Sequence, residues 1–360
     1  MAEPGGVTAE EPRNTASVAR RLEALVDLGF ERSFIPETRT EVVRADARTT
    51  RVTCTRPAMG TLVTVATIGP SEDRATEAIG RAFEEMDRLV GLLSRHERSS
   101  PLAQLNRTGR LDGPPPELAH VVEQALEYHR LTGGAFDVTV APLVFLYESR
   151  AEADSPSLPS EREVREALER VGAGFVSASR RRLSCAREGM ALTLDGIAKG
   201  YIVDRIAHAL EQHGVERYLV DAGGDIRSRG TKEGGAPWTI AVKDPSHRAG
   251  FLDSIRLTAG AVATSGGYER AYDAARLHHH VFDARSGRSP TRIVSASVVA
   301  PTTMAADALA TSLLLMNPRE AVAFVDGERG CACLIMDREG RAVRSRAWRS
   351  AAPPEGDEAQ

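Results

Sequence analysis

Four short segments follow one another in the last third of the chain: WTIAVKDP at 238–245, SIRLTAGAVATS at 254–265, HHHVFDARSG at 278–287 and RIVSASVVAP at 292–301. Each reads as a β segment, and turn residues separate them. Helical patterns over MAADALATSLLLM (304–316) and REAVAFVD (319–326) come next, then a buried strand in CACLIMD (331–337). Strands in runs with interspersed helices predict an α+β fold, since a parallel sheet would need regular alternation.

Upstream, β-branched residues alternate from Thr61 to Ile68 and stop at Gly69-Pro70. The spacing of Ala75, Ile79, Phe83, Met86, Val90 and Leu93 predicts an amphipathic helix. A polar, Pro-rich loop with one helical turn follows, then a helix from Glu117 to about Leu131 that stops at Gly133-Gly134. Residues 149–165 are acidic and rich in Ser and Pro, and read as an exposed insertion. MALTL (190–194) is strand-like and leads into a helix that ends at Gly214; YLVDAGGDI (218–226) is another strand, closed by glycines.

Among 360 residues, 46 basic and 50 acidic side chains leave a net charge of −4, which gives no general case for nucleic-acid binding. No run approaches the roughly 20 apolar residues of a membrane helix. Cys54, Cys185, Cys331 and Cys333 are too scattered for a disulfide framework. Residues 1–50 read as a mobile arm with a short helix across SVARRLEALVDL, 51–348 as the folded domain and 349–360 as a disordered tail. Glu23 and Asp27 interrupt the apolar stretch that an export signal needs, so the expected compartment is the cytoplasm.

Four segments carry residues suited to chemistry. In LDGIAKGYIVD (194–204), Gly196 and Gly200 bracket a loop entering a helix, with Lys199 beside them. Such a turn either approaches a phosphate or is a plain structural turn. In GGAFDVTVAPLV (133–144), Phe136 and Asp137 either contact a nucleobase or serve as a core aromatic and a cap. On a strand, His278 and His280 face one side and His279 the other. That alternation disfavours a three-histidine metal site and suits a general base before the turn at Asp283. Asp307 and Thr311 lie four apart on one helical face, a hard-oxygen pair suited to Mg²⁺ or simply a solvated face.

In combination these segments resemble the ApbE family of FAD:protein FMN transferases. The resemblance runs from about Pro57 to Asp326. It is carried by PAMGTLVTV, LSRHERSSPLAQLNR, GGAFDVTVAPLV, LDGIAKGYIVD, LVDAGGDIRSRG, AVATSGGYER, HHHVFDARSG and VVAPTTMAADALATS, in the family's order. It implies a T-fold-related, two-lobed single catalytic domain with mixed or antiparallel sheets and flanking helices. It also implies magnesium-dependent transfer of FMN from FAD to a Thr or Ser hydroxyl of an acceptor flavoprotein or flavin-carrier domain, with AMP released. No nucleic-acid partner and no membrane insertion are expected.

By the same resemblance, Met59, Ala135, Phe136, Asp137, Lys199 and Val281 match FAD-contacting positions. Asp307 and Thr311 match side-chain magnesium ligands, Gly196 a carbonyl ligand, and His280 the histidine that activates the acceptor hydroxyl. The chain departs from the family pattern at three further FAD positions: Thr193 and Asp195 stand where Asp-Leu-Gly-Gly is usual, and His96 where an aromatic is common. Ala284 replaces a proline. An FAD pyrophosphatase and a non-catalytic FAD-binding or delivery protein are the alternative functions.

Overall fold

The computed structural model describes residues 38–46, 49–153, 155–245 and 250–351. Its strands are β1 (Arg39–Asp46), β2 (Thr49–Ala58), β3 (Thr61–Gly69), β4 (Arg110–Asp112), β5 (Val176–Ser179), β6 (Arg182–Cys185), β7 (Tyr218–Ala222), β8 (Ile226–Arg229), β9 (Trp238–Lys243), β10 (Phe251–Leu257), β11 (Ala259–Gly266), β12 (Ile293–Ala300), β13 (Ala332–Asp337) and β14 (Ala342–Arg344). Its helices are α1 (Glu72–Leu93), α2 (Pro101–Thr108), α3 (Pro116–Leu131), α4 (Ala141–Ala151), α5 (Glu161–Leu168), α6 (Ala198–Gln212), α7 (Thr303–Leu314) and α8 (Pro318–Gly327).

Nine strands form one open sheet in the order β1-β2-β3-β7-β8-β11-β12-β13-β14, and every pairing in it is antiparallel. Two smaller sheets, β10-β9 and β4-β6-β5, complete the described strands. This is the expected α+β architecture of antiparallel sheets and flanking helices.

The periodicities explain the layers. Val63 and Val65 of β3 enter the same core as Ala75, Ile79, Phe83 and Met86 of α1, whose first turn is capped by Ser71. Met59 (φ 53°) and Gly60 (φ 75°) close the β2–β3 hairpin as a two-residue turn with both φ positive. On the far face, Ile240, Val242 and Ile255 of the β9–β10 pair pack with Ile226, Val262, Leu334 and Trp348. Helix α7 is buried almost all round, as its predominance of small and apolar residues requires, and it carries Asp307 into the interior.

Several expectations need correcting. The sheet starts at Arg39 rather than at 51, because β1 pairs with β2 along its length. Its side chains lie almost entirely in solvent, so no apolar alternation marks it. The expected helix over SVARRLEALVDL lies outside the described residues. At the other end, Trp348 is buried and the Ala351 N–H reaches the Ser254 carbonyl at 2.6 Å, so the ordered chain passes the expected boundary at 349. Residues 149–165 are not simply an insertion: α4 enters them, and α5 begins with a full capping box between Ser160 and Glu163.

MALTL forms no strand. The Asn106 side chain takes both backbone groups of Leu192, and the Thr193 N–H bonds the Val138 carbonyl, so the segment is a core-threading extended run without a ladder. HHHVFDARSG forms no regular strand either, only an isolated bridge between Ala271 and His279. Among the described residues, no helix is long and apolar enough to cross a membrane.

Two glycines set the site. A Cβ on Gly223 (φ +67°), in the β7–β8 turn, would lie 2.2 Å from Thr61 Oγ1, so this turn abuts the first residue of β3. A Cβ on Gly200 would lie 2.4 Å from the Thr303 carbonyl oxygen and 2.8 Å from the Asp307 Cβ. Helices α6 and α7 therefore meet backbone to backbone, which brings Lys199 beside Asp307. Gly200→Ala must push the helices apart, and its expected cost is about 1–3 kcal/mol by the measure of overpacked cores. Denaturant unfolding reads this directly; an unchanged midpoint would show that the helices do not touch at this glycine.

Candidate active site

Three carboxylates face one ammonium where α6 and α7 cross. Lys199 Nζ lies 3.3 Å from Asp225 Oδ2, and the charges of Glu269 and Asp307 also act on it. Asp225 and Asp307 are buried, at 1% and 4% exposure, whereas Glu269 stands at the mouth. Burial pushes the Asp225 carboxyl up to about 6, with Glu269 adding to the rise and Lys199 opposing it. Burial likewise raises Asp307 well above the ordinary carboxylate range; Asp225 adds to this, and Lys199 and the Gly200 N–H oppose it. Burial disfavours the Lys199 ammonium, but the three acids outweigh it and hold its pKa above normal. The cluster thus sets three carboxyl groups against one ammonium, and the raised pKa values of its two buried acids show that their charge is short of positive partners.

That shortage fits a divalent cation. Asp307 Oδ2 accepts the Gly200 N–H at 3.0 Å, and no hydrogen bond to its Oδ1 occurs among the described residues. Thr311, one turn further along α7, places Oγ1 3.2 Å from Ser265 Oγ. A Cβ on Gly196 would lie 3.0 Å from Thr311 Oγ1, so the loop approaches this hydroxyl closely and a larger residue would have to push Thr311 aside. Asp225 Oδ2 is buried without an aligned hydrogen bond. Among the described residues, no three His, Cys, Asp or Glu side chains make a ready cage. An ion here would take hydroxyl and carbonyl oxygens beside a carboxylate and keep open positions, the habit of Mg²⁺.

His280 borders this cluster. Its N–H bonds the Arg270 carbonyl at 3.1 Å, its Nδ1 lies 3.4 Å from the same oxygen, and its Nε2 is 4.0 Å from Glu269 Oε2. Nδ1 is thus the natural site of the ring proton, which leaves Nε2 basic. Burial pulls its pKa down, helped by Arg270 and Lys199 and opposed by the Arg270 carbonyl and Asp195.

The neighbouring histidines are held elsewhere. His279 is buried, its N–H on Ser289 Oγ and its Nε2 2.8 Å from the Pro290 carbonyl, and burial pulls its pKa down to about 4. His278 pairs with Asp273 at 3.3 Å and stacks on Tyr147. The expectation that His278 and His280 share a face does not hold, because the segment is a loop.

The remaining expected residues are held as follows. Met59 packs half-buried against the main core. Phe136 is 2% exposed and lies beneath Gly196, too deep to offer a stacking face. Ala135 and Val281 are buried in one cluster. Asp137 caps its own turn through Thr139 and lies 3.4 Å from His129 Nδ1. Thr193 Oγ1 accepts the Asp195 N–H at 3.3 Å. Asp195 pairs with Arg95 Nε at 2.9 Å, and the charge of His96 acts on it.

The structure thus unites Gly196, Lys199, His280, Asp307 and Thr311, and adds Asp225, Glu269 and Ser265, which the sequence reading did not single out. Asp225 and Glu269 sit in the quoted strings LVDAGGDIRSRG and AVATSGGYER, but no spacing links them to Lys199.

Residues 59–335 match the ApbE family. The chain is 30% identical over 302 residues to the FAD:protein FMN transferase of Salmonella typhimurium, covering 81% of this chain and 85% of that protein. It is 30% identical over 282 residues to the protein of that name from Vibrio cholerae, covering 76% and 84%. Among solved structures, the flavin transferase ApbE from Vibrio cholerae superposes with a TM-score of 0.72 at 28% identity, over 83% of this chain and 98% of that one. The ApbE protein from Thermotoga maritima superposes with a TM-score of 0.74 at 29% identity, over 86% and 97%.

Proposed function

Since this chain belongs to the ApbE family, we propose that it transfers FMN from FAD onto a threonine or serine hydroxyl of an acceptor protein. The acceptor oxygen bonds to the FMN-side phosphorus of FAD, the pyrophosphate bond breaks, and AMP leaves. One observation carries this reading: a histidine whose Nδ1 faces the Arg270 carbonyl, leaving Nε2 basic, stands beside a cluster of three carboxyl groups and one lysine where α6 meets α7. That combination suits a transfer governed by positioning and electrostatics.

His280 takes the acceptor proton at Nε2, while the Arg270 carbonyl holds the ring through Nδ1. Lys199 offers a fixed positive charge to the nucleotide. Asp307 and Thr311, with the Gly196 carbonyl, would hold Mg²⁺. That ion, when bound, neutralises charge on the pyrophosphate. Met59 and the loop from Thr193 to Asp195, with His96, border the nucleotide, and the buried Ala135, Phe136, Asp137 and Val281 support that wall from behind.

The test is incubation of the full chain with FAD, Mg²⁺ and a candidate acceptor domain carrying an exposed threonine, followed by mass spectrometry. An acceptor heavier by an FMN residue, with equimolar AMP, is expected. Free FMN and AMP with an unmodified acceptor would mean that water is the acceptor. Tight FAD binding without turnover across an acceptor panel would mean a delivery protein.

A further inference from the structure

Away from the Lys199 cluster, a second charged network joins four distant parts of the chain. Glu148 of α4 accepts Arg95 Nη2 at 2.7 Å and Arg270 Nη1 at 2.6 Å on Oε1, and Arg95 Nη1 at 2.9 Å on Oε2. Arg95 Nε donates to Asp195 Oδ2 at 2.9 Å. The Arg95 side chain is 4% exposed and that of Glu148 14%. Two guanidiniums and two carboxylates balance in charge. A forked, desolvated pair of this kind fixes geometry, unlike the exposed pairs that contribute little.

Both arms end at the site. Arg95 ties down Asp195, whose next residue, Gly196, approaches Thr311. Arg270 supplies the carbonyl that holds His280 through both its N–H and Nδ1. We propose that Glu148 is a positioning residue for the transfer, locking the Asp195 loop and the His280 loop into one rigid unit through Arg95 and Arg270. The proposal rests on reading His280 as the base. Glu148 stays ionised in this role, because Arg95 and Arg270 outweigh the burial that opposes its charge and hold its pKa low.

The charges facing His280 are Arg270, Lys199, Asp195 and Glu269, with the His279 ring alongside. Glu148→Gln leaves both guanidiniums short of counter-charge, so the His280 titration should move down. Arg270→Gln removes a positive neighbour, so it should move up. Both variants should lose kcat by about 100-fold, the scale of a displaced reacting group. FAD affinity should stay near wild type. The double variant should lose no more than either single one, because both act along one path.

The experiment is an NMR pH titration of the His280 imidazole in wild type and both variants, with kcat and FAD binding measured on the same samples. Titrations moving in opposite directions, with kcat lost and binding kept, support the assignment. An unmoved titration, a normal kcat or a loss confined to FAD binding overturns it. If Glu148→Gln fails to fold, the exposed arm, Arg270→Gln, decides by rate: a kcat lost about 100-fold with FAD binding kept supports the lock, and a normal kcat overturns it. If the wild type transfers no FMN, the reaction assigned above fails, and the two titrations still decide whether Glu148 positions His280.

Discussion

Asp307→Asn is expected to abolish FMN transfer while leaving the fold intact. The loss should be about a thousandfold or more, because charge neutralisation by a metal contributes several kcal/mol and each 1.36 kcal/mol is tenfold in rate. Asparagine keeps an oxygen for the Gly200 N–H, which alanine would leave unpaired in a buried place. It also removes a buried carboxyl whose ionisation both burial and Asp225 oppose, while Lys199 keeps Asp225 and Glu269 as partners. The metal-free variant should therefore melt no lower than the metal-free wild type. Mg²⁺ should raise the melting temperature of the wild type, by preferential binding to the folded state, and leave the variant unmoved. Normal turnover of Asp307→Asn, or indifference of the wild type to EDTA, would remove magnesium from the mechanism.

Much of this arrangement was legible where a residue's role depends on its own neighbours in sequence. The periodic positions from Ala75 to Leu93 gave α1, and the alternation from Thr61 to Ile68 gave β3, because one buried face dictates each pattern. Asp307 and Thr311 were visible as a pair because a helix brings i and i+4 together. What stayed hidden depends on the return of distant chain. MALTL looks like a strand, yet Asn106 supplies the hydrogen bonds a neighbouring strand would have made. Phe136 and Asp137 kept two readings open; the structure shows a buried aromatic and a local cap, features that the sequence pattern alone did not separate from nucleotide contact. The Arg95–Glu148–Arg270 network spans residues 95 to 270 and has no linear signature at all.

His280→Ala should still bind FAD but transfer FMN about 100- to 10,000-fold more slowly, the usual loss of a general base. The sign of its pH dependence follows from its surroundings. Burial, Arg270 and Lys199 pull its pKa below the ordinary histidine value, so the wild-type rate should rise with pH along a limb below that value and then level off. The variant should lack that limb and recover partly at high pH, where the acceptor hydroxyl ionises more readily. His278→Ala is the proper control, since His278 pairs with Asp273 away from the cluster. His279→Ala is not silent, because His279 is buried and bonded to Ser289 and Pro290. Its folded pKa of about 4 lies below the unfolded value near 6.5, so its contribution to stability is full above that value. That contribution is lost as pH falls towards 4, where the unfolded chain binds the extra proton. Rates for His279→Ala must therefore be read well below its melting temperature. If His280→Ala instead loses FAD affinity and keeps its rate at saturation, the histidine binds nucleotide, and the proton must leave the acceptor by another route.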